Sequence, residues 1–260
     1  MNKNRISHST FVSSGLALAA ALVVLFTSAA FASSPQGTFE KTLTVNGPVD
    51  LEVFTHSGDV TVRAGASGSV SIRGKIFVSE RWFGGSRDTD VHAIEQNPPI
   101  KQSGNSIHID YVDYHNISID YEITVPADTT VRSHTGSGDQ TIDGTKGNAD
   151  IQTGSGNIVA HGVHGGFRGE TGSGDITAEG TQTSDWDIHT GSGTVRVRLP
   201  GNAAFDADIS TSSGTVDVNA PVEMTVQGRV QDMHKSIHGK VRGGGPVLRV
   251  RTGSGDIHIE

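Results

Sequence analysis

The sequence predicts an all-β protein, built as a β-solenoid whose single-stranded, β-helix-like coils each contain about 18–21 residues. Three observations support this prediction. Thirty-four of the 260 residues are glycine, roughly twice the ordinary share, yet valine and isoleucine alternate with polar residues between them. A glycine-rich hexapeptide recurs at nearly constant spacing. No long stretch after residue 32 shows the 3.6-residue apolar period of an amphipathic helix.

The hexapeptide has the form Thr-Gly-Ser-Gly-Asp/Asn/Thr-apolar, with Gln140 and the TSSG copy as variations. Its copies begin at Thr135, Thr153, Thr171, Thr190, Thr211 and Thr252, and an earlier relative, THSGDV, begins at Thr55. Each copy lies between two alternating strands, and five positions separate its inward Thr from the next inward aliphatic residue. Strict alternation forbids that spacing, so the Gly-Ser-Gly segment must turn the chain and reset its phase. Each strand–corner–strand–loop unit then buries its apolar face by stacking on its neighbours.

The residue after each Gly-Ser-Gly should form a column along the stacked coils. Its members are Asp139, Asn157, Asp175, Thr194 and Thr215, and Asp256 has the same place in the last copy. Stacked strands lie about 4.8 Å apart, so adjacent carboxylates would repel one another. No two neighbours in the run from Asp139 to Thr215 are both acidic, which favours a ladder that avoids like charges.

Residues 1–32 are predicted to be a cleaved signal peptide. Lys3 and Arg5 precede the apolar run 16–26, and Ala30-Phe31-Ala32 has small residues at the two positions that a signal peptidase reads. The alternative is an uncleaved anchor, because 16–32 is nearly long enough to span a bilayer. We expect export to the periplasm or cell surface, with no membrane span after cleavage.

Charge and cysteine content exclude several classes of function. The leader carries two basic residues and no acid, so cleavage changes the formal net charge from −8 to −10. That charge argues against nucleic acid as a partner, since such binding depends on Lys and Arg at the phosphates, and against docking on anionic lipids. The chain has no cysteine, so it forms no disulfide. No cofactor is expected.

Several segments together resemble the bacterial putative-adhesin domain family with β-strand repeats, a family of unknown function. They are FEKTLTV, LEVFTHSGDVTV, YEITVPADTTV, RLPGNAAFDADISTSSGTVDV and the closing GGGPVLRVRTGSGDIHI. The resemblance implies one β-solenoid domain over 33–260, less regular over 33–121 and regular over 122–260, in an exported or envelope-attached protein. It offers no catalytic motif.

The repeated aspartates, histidines and serines could in principle form a metal site or an active site, but each has a structural explanation. Asp directly after Gly differs from the nine-residue calcium repeat, so turn chemistry explains these residues without calcium. His161, His164 and the column His134, Gln152, Glu170 and His189 could offer zinc ligands. Only Glu170 and His189 are expected to be adjacent, however, and a site needs three or four ligands. The serines recur at every corner, unlike a catalytic serine, and a polysaccharide-active enzyme needs a localised set of acids.

The insert 80–99 is the candidate binding region. Arg81, Trp82 and Phe83 place a cation and two aromatics in a glycine-flanked loop, and Tyr111, Tyr114 and Tyr121 follow it. Trp, Tyr and Arg are typical of binding hot spots. The alternative is that Trp82 and Phe83 cover the end of the solenoid.

The last strand, 256–259, has no further residues to cover it. It is expected either to lie beside an earlier coil or to mediate self-association.

The most favoured function is a non-catalytic envelope or extracellular scaffold with adhesin-like binding to an envelope protein or surface glycan. The first alternative is a periplasmic component that senses or buffers envelope stress through protein partners. The second is a polysaccharide-active enzyme.

Overall fold

The computed structural model describes residues 34–79, 87–114, 116–219, 222–224 and 235–260. The predicted leader and Arg81, Trp82 and Phe83 lie outside these residues. The described elements, in chain order, are β1 (Gly37–Thr44), β2 (Val49–Ser57), β3 (Val60–Gly65), β4 (Ser69–Val78), α1 (Arg87–Gln96), β5 (Ile100–Ser103), β6 (Ser106–Ile109), β7 (Ile117–Pro126), β8 (Thr129–Ser137), β9 (Gln140–Asp143), β10 (Ala149–Ser155), β11 (Ile158–Val163), β12 (Phe167–Ser173), β13 (Ile176–Gly180), β14 (Trp186–Ser192), β15 (Val195–Arg198), β16 (Phe205–Ser213), β17 (Val216–Val218), β18 (Val222–Met224), β19 (Ser236–Val241), β20 (Val247–Ser254) and β21 (Ile257–Ile259).

These strands form two long sheets. Sheet A has the order β1-β4-β7-β3-β9-β11-β13-β15-β21-β17, and sheet B has the order β18-β19-β16-β20-β14-β12-β10-β8-β2-β6-β5. Their central strands are parallel and pair at the repeat spacing, with Ile151 opposite Ser133 and Gly169. The prediction of a mostly β fold is confirmed, and the two parallel-rich sheets are consistent with a β-solenoid.

The core lies between the two sheets, where the alternating inward residues meet. In β10, Ala149, Ile151 and Thr153 are buried while the residues between them are not. The largest buried side chain, Trp186, packs edge-on against Phe167 with ring centroids 5.7 Å apart. Its indole Nε1 donates a 3.0 Å hydrogen bond to the carbonyl of Gly165, which satisfies the buried polar atom.

The corners join each coil to the next through threonine. The Oγ1 atom of Thr171 donates a 2.9 Å hydrogen bond to the carbonyl of Gly156 in the preceding coil, and Thr153 makes the equivalent bond to Gly138. Gly156 has φ +148°, and a Cβ atom there would lie 2.1 Å from the carbonyl oxygen of Gly138. Only glycine permits both this φ and this approach, so the corners turn the chain as the sequence predicts.

The N-terminal part departs from parallel stacking. Strands β1, β4 and β7 pair antiparallel at one end of sheet A. Helix α1, which the sequence pattern does not predict, packs on β1. Val91 and Ile94 are buried in the core. Glu95 accepts a 2.9 Å hydrogen bond from the backbone N–H of Thr38. The helix has only ten residues and little apolar periodicity, so tertiary packing rather than pattern stabilises it.

The C-terminal strands are inserted out of sequence order. Strand β20 lies between β14 and β16, and β21 lies between β15 and β17, each parallel to both neighbours. The expectation that Thr194 and Thr215 are adjacent is therefore wrong, because Asp256 separates them. Of the two expectations for the last strand, the structure shows the first, since β21 lies beside earlier coils and pairs with β15 and β17.

Gln140, the exception in the repeat, is fully buried in a column where its neighbours are Val60 and Ile158. Its Nε2 donates to the carbonyl of Gln152, but its Oε1 has no hydrogen-bond partner. An unsatisfied buried polar atom costs about 1–3 kcal/mol. We predict that Gln140→Ile stabilises the protein by about 1–2 kcal/mol, raising Tm by about 2–8 °C.

Thermal and urea denaturation measure this change. The isosteric Gln140→Glu is the matched control and should destabilise, because it buries a charge at the same position. A lower Tm for Gln140→Ile would mean that the hydrogen bond to Gln152 outweighs the unpaired oxygen.

Candidate functional site

A single column of charges runs across the outer face of sheet B. We call it the charge column. In strand order from β6 to β19 it contains His108, Glu52, Arg132, Asp150, Arg168, Asp187, Arg249, Asp208 and His238. Acidic and basic residue types alternate at every step from β6 to β19, and the alternation ends at the edge strand β5, where Lys101 is opposite His108. Opposite charges on directly paired positions stabilise a sheet, whereas like charges destabilise it.

Ion pairs form at both ends of the charge column. Glu52 contacts Arg132, and its carboxylate lies 3.0 Å from His108 Nδ1. Arg249 lies 3.1 Å from Asp208 and 3.6 Å from Asp187, and its hydrogen bond to Asp208 raises its pKa. Each exposed pair contributes little alone. Together they leave this face with its charges mutually compensated, which suits a scaffold better than a binding site for a charged polymer.

An aromatic cluster lies beside the His108 end of the charge column. It consists of Phe54, His56, His108, Tyr111 and His134. The ring of Phe54 lies 5.3 Å from His108, 5.3 Å from His134 and 5.8 Å from Tyr111, measured between centroids. His56 stacks on Tyr111 with centroids 4.5 Å apart and an interplanar angle of 27°. Rings from three strands and the segment after β6 thus form one surface.

This cluster is open to solvent. Tyr111 is 48% exposed, His56 is exposed, and Phe54 is half-buried beneath them. A groove of about 430 Å³ adjoins the cluster, with His56, Val112 and Tyr114 in its lining. A carboxylate lies nearby, since Asp110 Oδ1 is 2.6 Å from His108 Nε2. Exposed rings beside carboxylate and imidazole groups offer both apolar contact and hydrogen bonds to a ligand.

A second column, the carboxylate ladder, lies along the corners. In rung order it contains Asp120, Asp59, Asp139, Asn157, Asp175, Thr194, Asp256 and Thr215. The Oδ1 atom of each Asp or Asn accepts the backbone N–H of the next rung at 2.8–2.9 Å. The expectation that this column avoids adjacent carboxylates fails at its start, where Asp120, Asp59 and Asp139 are consecutive. Asp and Asn therefore occupy this column because they accept a backbone N–H from the next rung, not because the column avoids adjacent charges.

The ends of the ladder differ in electrostatics. Burial, assisted by the charge of Asp59, raises the pKa of Asp120. Hydrogen bonds from the backbone and side chain of Thr215 lower the pKa of Asp256. The same residue type therefore has opposite effects on stability at the two ends.

The predicted site residues fall into three groups. Arg81, Trp82 and Phe83 lie outside the described residues. Tyr111 and Tyr114 are exposed beside the groove, whereas Tyr121 is buried in the core and contacts Phe39 edge-on at 6.2 Å, which corrects its inclusion in a surface group. The ladder and corner residues take structural positions in the coils.

The histidine column occupies the outer face of sheet B, with Glu170 opposite His189 as the spacing predicts. In the described part of the chain, no three His, Asp or Glu side chains are grouped so as to hold a metal ion. No described helix is long and apolar enough to cross a membrane.

This repeat architecture matches a known protein family. The family model described as Toastrack DUF4097 matches residues 33–260. The chain belongs to this family. The match confirms the resemblance to adhesin-like domains of unknown function.

Two solved structures match this Toastrack domain weakly. One is a putative cell adhesion protein from Clostridium sporogenes, with 15% identity, a TM-score of 0.48 and coverage of 85% of this chain and 98% of that chain. The other is a putative adhesin from Bacteroides fragilis, with 13% identity, a TM-score of 0.40 and coverage of 88% and 100%. No curated protein matches the sequence.

Asp120→Asn and Asp256→Asn form a matched pair of tests. The raised pKa of Asp120 means that its ionised form is less favourable in the folded state, so stability is lost as pH rises through that pKa. Asn keeps an oxygen that accepts the backbone N–H of the next rung, as Asn157 does, and it removes the charge. We predict that Asp120→Asn raises Tm at pH 7 by no more than about 1–3 °C, because solvent screens this half-buried carboxylate. This gain should vanish below the ordinary Asp pKa of 3.8.

Asp256→Asn should lower Tm at pH 7, because a lowered pKa contributes stability above the ordinary value that is lost as pH falls through the folded-state pKa. Thermal melts between pH 3 and pH 8 check both variants. Equal effects of the two substitutions at neutral pH would contradict the assignment of opposite electrostatics to the two ends.

Proposed function

We propose that this Toastrack protein is an exported, non-catalytic binding scaffold of the cell envelope, with adhesin-like recognition of a surface glycan. Its stacked 18-residue register supports the finer description as a β-solenoid with Gly-Ser-Gly corners. Such a scaffold is stiff along its length because each interior coil hydrogen-bonds to both neighbours. A rigid scaffold holds surface side chains in fixed positions for recognition.

The aromatic cluster is the observation that carries the proposal. Elsewhere on the same face, the charge column pairs each charge with an opposite one, but here the rings of His56 and Tyr111 stack in solvent. Large exposed rings cost solubility, and exposed aromatic groups beside polar ones are typical of binding surfaces. The two acids that contact the cluster are already paired: Asp110 with His108 and Lys101, and Glu52 with Arg132. This pairing supports binding rather than acid–base catalysis.

The chemistry of the cluster favours a glycan over a charged polymer. The stacked ring faces offer flat apolar contact to the C–H face of a sugar ring. Asp113, an exposed residue in the lining of the groove, offers a carboxylate acceptor for hydroxyl groups, and the imidazoles can donate or accept. The groove beside Tyr114 extends the contact beyond one ring.

The test measures binding of the purified protein to a panel of surface glycans. We predict that His56→Ala combined with Tyr111→Ala weakens binding of a glycan ligand by about tenfold or more, the loss expected when a hot spot is removed. His238→Ala, at the far end of the same face, is the matched control and should bind as the native protein does. Circular dichroism confirms that each variant is folded.

A third variant, Trp82→Ala with Phe83→Ala, tests the insert that the sequence indicates. Loss of binding in this variant alone would move the site to the insert. If the native protein binds no glycan but captures an envelope protein through the aromatic cluster, the glycan assignment is wrong while the scaffold role stands. Product release from any glycan would overturn the non-catalytic assignment.

A further inference from the structure

The last coil of the described fold, β20 and β21, occupies a slot between two coils that precede it in the chain. We call residues 247–259 the inserted coil. Its strand β20 pairs with β14 on one side and β16 on the other, and β21 pairs likewise with β15 and β17. The two coils that flank the slot, β14 with β15 and β16 with β17, are consecutive in sequence, yet a later segment separates them in space.

The charge column explains why the slot needs an occupant. With the inserted coil present, Arg249 lies between Asp187 and Asp208 and contacts both. Without it, Asp187 and Asp208 would be the facing residues if the coils closed on each other. Like charges directly opposite are destabilising, so the two coils that line the slot are poorly matched to each other.

Hydrogen bonds at the corners also join the inserted coil to both sides of the slot. Thr252 Oγ1 donates to the Gly193 carbonyl at 3.1 Å, and Thr211 Oγ1 donates to the Gly255 carbonyl at 3.0 Å. Asp256 accepts the backbone N–H of Thr215 at 2.9 Å. The inserted coil is therefore complementary to the slot on both sides, in hydrogen bonding as well as in charge.

The inserted coil is connected to β19 by a short linker, residues 242–246. The linker has the sequence Arg-Gly-Gly-Gly-Pro, and Arg242, Gly243 and Gly244 have φ values of +49°, +87° and +87°. Glycine accepts many backbone conformations at little steric cost. The three glycines therefore permit the backbone between β19 and the inserted coil to take more than one path.

We propose that the inserted coil exchanges between copies, so that residues 247–259 of one chain occupy the slot of a second copy of this chain. The contacts in the slot are the same whether the coil comes from its own chain or from another. Only the linker path and the effective concentration differ between the two arrangements. Exchange links envelope scaffolds into dimers or longer assemblies through a complete coil rather than through an open sheet edge.

The test uses single-cysteine chains, because the native chain has no cysteine. Asp187 and Arg249 are directly paired, and paired strand positions are close enough for a disulfide. The variants D187C and R249C are unfolded together, refolded at several protein concentrations and oxidised. We expect a covalent D187C–R249C heterodimer whose fraction rises with concentration, because exchange is bimolecular.

Two controls make the outcome specific. The double variant D187C/R249C should form a disulfide within one chain when refolded dilute, which shows that both substitutions permit the native insertion. The pair D150C and R168C, directly opposed on β10 and β12, should give no heterodimer because these coils stack in chain order. A second exchange pair, H189C with R251C, is also directly opposed and repeats the test if the first pair perturbs folding.

Absence of heterodimer in both exchange pairs at every concentration, with the intrachain disulfide formed, would overturn the proposal. Equal heterodimer yields from the exchange and control pairs would also overturn it, because general chain mixing rather than exchange of the inserted coil would then account for the cross-link. Neither result bears on glycan binding by the aromatic cluster, so failure here leaves the proposed function standing.

Discussion

The corner that joins sheet A to sheet B constrains every other part of the fold. At the corners from Thr153 onward a buried threonine hydroxyl donates to a glycine carbonyl of the adjacent coil, as Thr190 does to Gly174 at 3.0 Å. The glycines pack so closely that a side chain at Gly174 would lie 2.0 Å from the carbonyl oxygen of Gly156. A coil that slipped along its neighbour would lose the hydrogen bond and bring side chains into this space. The corner therefore fixes one register, where a flat parallel sheet could adopt several.

A fixed register turns each outward position into a column with its own electrostatics. In the carboxylate ladder, two carboxylates about 5 Å apart in water repel by about 1 kcal/mol. A hydrogen bond from a backbone amide to a charged acceptor contributes about 1.5–3 kcal/mol. Hydrogen bonding therefore wins, and Asp59 and Asp139 are adjacent. The charge column offers no such amide, so there the repulsion decides and the residue types alternate.

The sequence was sufficient to predict what is local and repeated. Thr153 and Thr171 mark corners because the inward phase changes there, and the paired position of Glu170 and His189 follows from the spacing. The sequence also contains a signal for Phe54, which precedes Thr55 as His134 precedes Thr135. The aromatic cluster further depends on β6 pairing with β2 across more than fifty residues, and neither a motif nor a period indicates that pairing. Helix α1 escaped prediction because its stability comes from burial of Val91 and Ile94.

The repeat motif alone does not determine the order in which the coils stack. TGSGDI at Thr252 would fit the corner of almost any other coil, since each corner offers the same glycine carbonyl and the same hydroxyl. The outward residues differ from coil to coil, and they distinguish the possible orders. Stacking in chain order would set Asp187 against Asp208, whereas the observed order sets Arg249 between them. The corners thus specify how coils align, and the outward charges favour one coil order together with the buried side chains, which also differ from coil to coil. This division explains how a repetitive sequence can fold with its last coil in the interior of the stack.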